Sequence, residues 1–249
     1  MPKEDLVSWK RNTNGRKIRS MAKKVRNRRS AIKKTNWPLI IGLVVGGIVV
    51  FVGLIALAFR EPAALSLLNF CNNNPENCIV LGNEDAEVSV VEVSDYGCSH
   101  CRDFNLETSP LLEAQYVDTN EVKWVVVPFA LQSQAGVFPT LSSSVAAMCA
   151  NEQGEFSDFH KALFALQGTS AYNTEAGFMQ VATSLDMDLD AFSSCLNNNT
   201  YADRILENIT MAQQAGVNST PSFFIDGNLL PGNQPISVFQ QRLDALLDS

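Results

Sequence analysis

Val91-Glu92-Val93-Ser94-Asp95-Tyr96-Gly97-Cys98-Ser99-His100-Cys101-Arg102-Asp103-Phe104 is the stretch whose reading decides the fold. It opens as an apolar, β-branched run, turns at Gly97, and sets two cysteines three apart where a helix should begin. A cysteine at a helix N-terminus faces backbone N–H groups that lack intrahelical partners, together with the positive end of the helix dipole. Both favour the thiolate, and in such surroundings a thiol pKa falls from about 8.5 to about 3.5–7.5. His100, between the cysteines, can donate to the same sulfur and adds positive charge when protonated. The spacing makes Cys98 the exposed nucleophile and Cys101, one turn further, the resolving thiol. That is the layout of a dithiol–disulfide exchange site.

Three other uses of a C-x-x-C pair fit less well. A structural zinc site needs four ligands, and the nearby Cys71 and Cys78 have the wrong spacing for a second pair. Covalent haem attachment needs a histidine directly after the second cysteine, where this chain has Arg102. A purely structural disulfide is the remaining reading, but so short a loop at a strand-to-helix turn is rarely used only for stability.

Outward from this stretch, composition splits the chain. Of 19 Lys+Arg and 26 Asp+Glu in 249 residues, 13 and 2 fall in residues 1–36, leaving 6 basic against 24 acidic residues in the rest. Between the two parts, Leu39 to Phe59 is uncharged and apolar, bounded by Trp37 and Arg60. As a helix it would span about 31 Å, close to the thickness of a bilayer's hydrocarbon. The pattern predicts a basic cytoplasmic tail over 1–36, a single transmembrane helix over 37–60, and everything beyond Arg60 outside the cytoplasm. Ala56-Leu57-Ala58 also resembles a signal-peptide cleavage site. The long basic region and long apolar run favour an uncleaved anchor, with lipid as its partner. Topology alone accounts for the basic tail, so nucleic acid is not expected as a partner.

Residues 61–82 read as an extracytoplasmic tether. In it, Cys71 and Cys78 bracket a turn-rich Asn/Pro loop suited to a structural disulfide, with a second redox pair as the alternative. From residue 83 to 249 a globular domain is expected. Val88 to Val93 forms its first strand, in which Glu92 is the odd member: either a solvated edge residue or a buried carboxylate that exchanges a proton with the cysteine pair. Pro110 should kink or divide the helix that starts at the cysteines. Val122 to Val127 is a second strand, and helical periodicity then dominates to about Gln214. Within that stretch Cys149 and Cys195 fall on apolar helix faces, as inert buried thiols or, as an exported domain with an even cysteine count favours, as a disulfide. His160 reads as an ordinary half-buried helical residue. Pro221 precedes the strand Phe223-Phe224-Ile225, Asp226-Gly227 makes a hairpin turn, and Val238–Leu247 is a closing helix.

Strand, C-x-x-C helix, strand, helical insert, Thr-Pro, hairpin and helix follow in that order. With the motifs E-V-S-D-Y-G-C-S-H-C and S-T-P-S-F-F-I-D-G, residues 80–249 resemble the DsbA-like branch of thioredoxin-fold oxidoreductases. The resemblance implies an α/β thioredoxin-like fold with a helical subdomain inserted at about 137–214. It implies Cys98 as nucleophile, Cys101 as buried partner, His100 as the residue that stabilises the thiolate, and Glu92 as the buried acid. It implies a cis Pro221 beside the disulfide, with Thr220 offering its backbone to an extended substrate strand. The expected activity is oxidation of cysteines in exported proteins, with reoxidation by a quinone-linked membrane partner and without metal or organic cofactor. The family often has Pro where this chain has Ser99, so a reductase or isomerase role stays open. A non-catalytic module that binds peptides by the Thr220-Pro221 loop is the reading from another class.

Overall fold

The computed structural model describes the backbone of residues 10–11, 17–18, 36–58 and 63–249, and side chains over 36–38, 41–55 and 67–249. Two short strands, β1 (Lys10–Arg11) and β2 (Lys17–Ile18), pair antiparallel; the rest of the basic tail lies outside the described residues. Helix α1 covers Trp37–Ala58, and its described side chains are exposed. Among the described residues no helix is long and apolar enough to cross a membrane. The expected membrane segment over 37–60 therefore rests on sequence and extends outside the described residues.

Residues 60–249 form a separate compact unit. Its sheet has five strands in the order β3-β5-β4-β6-β7, with ranges Ile79–Leu81 (β3), Val88–Ser94 (β4), Val122–Pro128 (β5), Ser222–Ile225 (β6) and Asn228–Pro231 (β7). Central β4 runs parallel to β5 and antiparallel to β6. A strand covered on both faces reads as a continuous apolar run rather than an alternation, which is why Val90, Val91 and Val93 are all buried. Glu92 lies in the middle of this strand, between Val126 and Phe223 on its two neighbours. The edge reading of Glu92 is thus excluded by the strand order. Asp226 and Gly227 both have positive φ, 46° and 72°, as the tight turn joining β6 to β7 demands.

From Ala63 onward the segment expected as a tether is folded into the domain. Helix α2 (Ala63–Asn73) carries Leu67 and Phe70 into the core, and β3 pairs with β5. The Asn/Pro loop between them is a single 3-10 turn, Pro75–Asn77, closed by a Cys71–Cys78 disulfide. Too short and turn-rich to show a periodicity, this segment nevertheless buries Ile79 and both cysteines.

Helix α3 (Ser99–Asp103) continues through a π-helical segment (Phe104–Thr108), α4 (Ser109–Leu112) and a second π-helical segment (Glu113–Val117). Pro110 therefore neither breaks nor ends the helix. It occupies the first turn of α4, where a missing N–H is tolerated, and the ladder widens on either side. The inserted layer is helical throughout: α5 (Leu141–Asn151), α6 (Phe156–Ala165), α7 (Glu175–Ser184), α8 (Leu189–Asn197) and α9 (Ala202–Gln214). A Cys149–Cys195 disulfide ties α5 to α8. Helix α10 (Ile236–Leu247) closes the chain, and its Phe239 meets Phe104 and Phe223 at ring-centroid distances of 5.5 and 4.9 Å. That aromatic cluster fastens the helix bearing the cysteines to the sheet, at about 3–5 kcal/mol for each fully buried ring.

Candidate active site

Strand β4 ends at Ser94, and the chain turns through Asp95–Gly97 into α3. The turn is held from inside: the buried Asp95 carboxylate accepts from the N–H groups of Gly97 (2.6 Å) and Leu131 (2.5 Å) and from Thr140 Oγ1 (2.8 Å). A Cβ on Gly97 would lie 2.9 Å from Thr140 Cγ2 and 3.0 Å from the Tyr172 hydroxyl, so only glycine lets the loop pass. From the insert, Gln167 Nε2 donates to the carbonyls of Tyr96 (2.6 Å) and Cys98 (3.1 Å).

Cys98 is the N-cap of α3, with an extended backbone, and is half-buried; Cys101 is fully buried. Both are free thiols in this structure. The two are driven apart electrostatically. The Cys98 pKa is lowered to about 5, first by the Cys101 side chain donating to its sulfur and also by the backbone N–H groups of residues 101 and 100, against the opposing effect of burial. Burial pushes the Cys101 thiol far up, and the neighbouring Cys98 sulfur adds to this. The Asp95 N–H, 3.5 Å away, is the amide that reaches the Cys101 sulfur.

The structure brings Thr220 to the pair: the Cys98 thiol donates to its carbonyl at 3.2 Å, from a residue 122 positions away in sequence. The Thr220–Pro221 peptide is cis, and Thr220 Oγ1 is buried without a hydrogen-bond partner. His100 is exposed, and no hydrogen bond of its imidazole occurs among the described residues. What His100 lends Cys98 is its backbone N–H. Cys71, Cys78, Cys149 and Cys195 are disulfide-bonded to one another and take no part in the site.

Glu92 is 1% exposed and accepts from Ser94 Oγ, Asn105 Nδ2 (3.0 Å) and Trp124 Nε1 (2.8 Å). Burial raises its pKa; the three hydrogen bonds oppose that shift. Asn105 Nδ2 also donates to the Cys101 carbonyl (3.1 Å), and Asn105 Oδ1 lies 2.9 Å from His160 Nε2, whose Nδ1 lies 2.6 Å from the Tyr96 hydroxyl. His160 is not an ordinary half-buried residue. It is buried in this network, and burial lowers its pKa to about 3, so it is neutral.

Beside Cys98 a cleft of about 530 Å³ is lined by Leu131, Gln132, Pro139, Thr140 and Tyr172 among others. A larger cavity, about 670 Å³, has Val91, Phe224 and Leu246 in its wall but neither cysteine. The chemistry places the site at the smaller one.

This arrangement of an N-cap cysteine with a lowered pKa, a buried partner, a Thr-cis-Pro loop and a buried acid in the central strand of a mixed sheet defines a class. A thioredoxin family model matches residues 74–245, and the chain belongs to that family. The crystal structure of oxidised BdbD from Bacillus subtilis superposes with a TM-score of 0.61 at 22% identity, covering 68% of this chain and 92% of that one. Wolbachia pipientis alpha-DsbA1 gives 0.60 at 23%, covering 69% and 92%. A Rickettsia conorii protein provisionally named a protein-disulfide oxidoreductase is 27% identical over 178 residues, 70% of this chain. The match spans 61% of that relative's length.

Sequence reasoning missed Ser94, Tyr96, Asn105, Trp124 and Gln167. Asn105 had a local signal, since four residues after Cys101 on a helix is the same face. Ser94 had one too, since two residues after Glu92 on a strand is the same face; Tyr96, Trp124 and Gln167 are joined to the site through the fold.

Proposed function

We propose that this chain is an extracytoplasmic thiol–disulfide oxidoreductase whose main work is to introduce disulfides into exported proteins. The observation that carries this reading is the split between Cys98, lowered to about 5, and the buried Cys101. A stabilised Cys98 thiolate favours the reduced pair, and so makes the Cys98–Cys101 disulfide a good oxidant. A client thiolate attacks Cys98 Sγ, the Cys98–Cys101 bond breaks, and Cys101 leaves as a thiolate that takes a proton from Glu92. A second client thiolate then attacks the client sulfur of the mixed disulfide. The client gains a disulfide, and Cys98 leaves as a thiolate with the electron pair. The Thr220 backbone and the cleft beside Cys98 receive the client as an extended strand. A quinone-linked membrane partner reoxidises the pair.

Two disulfides elsewhere in the domain support an oxidising compartment. The charge split about Leu39–Phe59 supports a membrane anchor with the domain outside. Protease applied to spheroplasts should remove the domain and spare the basic tail; a soluble mature protein beginning near residue 59 would refute the anchor. The activity itself is tested by equilibrating the Cys98–Cys101 pair with glutathione. A potential well above about −200 mV is expected for an oxidase, and one near the −270 mV of thioredoxin would make the chain a reductase instead.

A further inference from the structure

Glu92 has three hydrogen-bond partners, and they are not equivalent. Indole Nε1 of Trp124 is a donor only. The Asn105 amide is locked: its Nδ2 faces two acceptors, the Glu92 carboxylate and the Cys101 carbonyl, which fixes its orientation. Its Oδ1 then faces His160 Nε2, so that nitrogen carries the proton and Nδ1 accepts from the Tyr96 hydroxyl. From Tyr96 through His160 and Asn105, each donor points towards Glu92. Turning the amide over would set oxygen against both the Cys101 carbonyl and the Glu92 carboxylate. These contacts suit an ionised carboxylate and offer nothing to a protonated one, whose O–H must find an acceptor.

The Ser94 hydroxyl is the partner free to reverse. It donates to Glu92 Oε1 in this structure, is buried, and can rotate to accept from the same oxygen once that oxygen is protonated. One peptide bond further on, the Asp95 N–H holds the Cys101 sulfur. We propose that Ser94 is a positioning residue for proton exchange between Cys101 and Glu92, acting by reversal of its hydrogen bond to Glu92. The inference rests on the exchange chemistry assigned above. When Cys101 resolves a mixed disulfide, its thiol gives up a proton, Glu92 Oε1 takes one up, and the new O–H turns to Ser94 Oγ. The Cys101 thiolate bonds to Cys98 Sγ, and the bond from Cys98 to the bound thiol breaks, so that thiol leaves as a thiolate. In client oxidation Glu92 returns the proton. The titratable groups around Glu92 are Cys101 on α3, Tyr96 in the loop, Glu113 on the second π-helical segment, and His160 and Lys161 on α6. Glu113 disfavours the Glu92 charge and is itself paired to Lys161 at 2.6 Å.

Reduced full-length protein mixed with Ellman's disulfide releases thionitrobenzoate twice: once when Cys98 attacks the reagent, and again when Cys101 resolves the mixed disulfide. Ser94→Ala should leave the first release unchanged and slow the second by about tenfold near neutral pH, the worth of one hydrogen bond to a charged or protonated partner. Ser94→Thr, which keeps the hydroxyl, should restore it, and raising the pH should narrow the gap as solvent takes over the proton. An unchanged second release in Ser94→Ala, or a Ser94→Thr variant as slow as Ser94→Ala, overturns the proposal. Wild-type protein with no second release would instead overturn the exchange reading itself. If Ser94→Ala does not fold, infrared spectra of the unmodified protein decide. The band of protonated Glu92, identified by its loss in Glu92→Gln, should have the frequency of a carboxyl donating a hydrogen bond, and a free-carboxyl frequency overturns the proposal.

Discussion

Replacing Cys101 by alanine removes the largest single influence on the nucleophile. The Cys101 side chain is the first cause of the low Cys98 pKa of about 5, ahead of the helix N–H groups. A hydrogen bond to a charged sulfur is worth about 1.5–3 kcal/mol, or roughly one to two pKa units. Cys98 is only half-buried, so water reaches the sulfur and recovers part of that loss. The lower end is therefore expected: in Cys101→Ala the Cys98 titration should move from about pH 5 to about pH 6, not back to the ordinary thiol near 8.5. The backbone N–H groups at 100 and 101 remain and hold it there. Thiolate absorbance and the pH dependence of alkylation of the single free cysteine both read this value. An inflection still at 5 would show that the helix terminus alone sets the nucleophile, and a wild-type inflection near 8.5 would refute the electrostatics of the site. The sign has a consequence for stability. Because Cys98 ionises below its unfolded value, the gain to the reduced folded protein is full above the unfolded pKa and is lost as pH falls through about 5.

His100→Ala keeps the backbone N–H, so the Cys98 inflection should stay within about half a unit of its wild-type position; a rise beyond about one unit in the same titration would give the imidazole a direct role. Cys149→Ala with Cys195→Ala opens a loop of sequence separation 46 and should cost about 4 kcal/mol on the chain-entropy model, read by denaturant unfolding, with exchange activity retained in the folded fraction. Loss of turnover without loss of stability would mean that this pair, too, is redox-active. Gly97→Ala must push apart Thr140 and Tyr172 and should destabilise by about 1–3 kcal/mol, seen as a lower melting temperature; an unchanged melting temperature would show that the loop has room to spare.

Much of this was legible before any coordinates. Continuous apolar runs located β4, β5 and β6, and the N-cap position of Cys98 followed from a strand, a glycine and a pair of cysteines. Residues 63–81 were misread because α2 is followed by only a three-residue strand, too short for either period to register. The π-helical turns were invisible, since nothing in Phe104–Val117 distinguishes them from an α-helix interrupted by proline. The Glu92 network escaped for a different reason. Asn105, Trp124 and His160 stand 13, 32 and 68 positions from Glu92, and hydrogen-bond partnership at that range is a property of the fold. Glu92 itself was ambiguous until the strand order put it at the centre of the sheet.

The closed Cys71–Cys78 loop has a mechanical side. Asn208 Nδ2 bonds the Asn77 carbonyl at 2.7 Å, and Asn77 Nδ2 bonds Glu207 at 3.0 Å, so the loop is riveted to α9. Tension on the chain ahead of α2 cannot draw out the residues between the two sulfurs, which would otherwise lengthen by about 3.3–3.6 Å each. It meets first α2, held in the core by Leu67 and Phe70, then a covalent ring, and then β3, whose ladder partner is β5 rather than the cysteine-bearing β4. A domain pulled by its N-terminal side would yield at the periphery while the strand leading to Cys98 stayed unloaded.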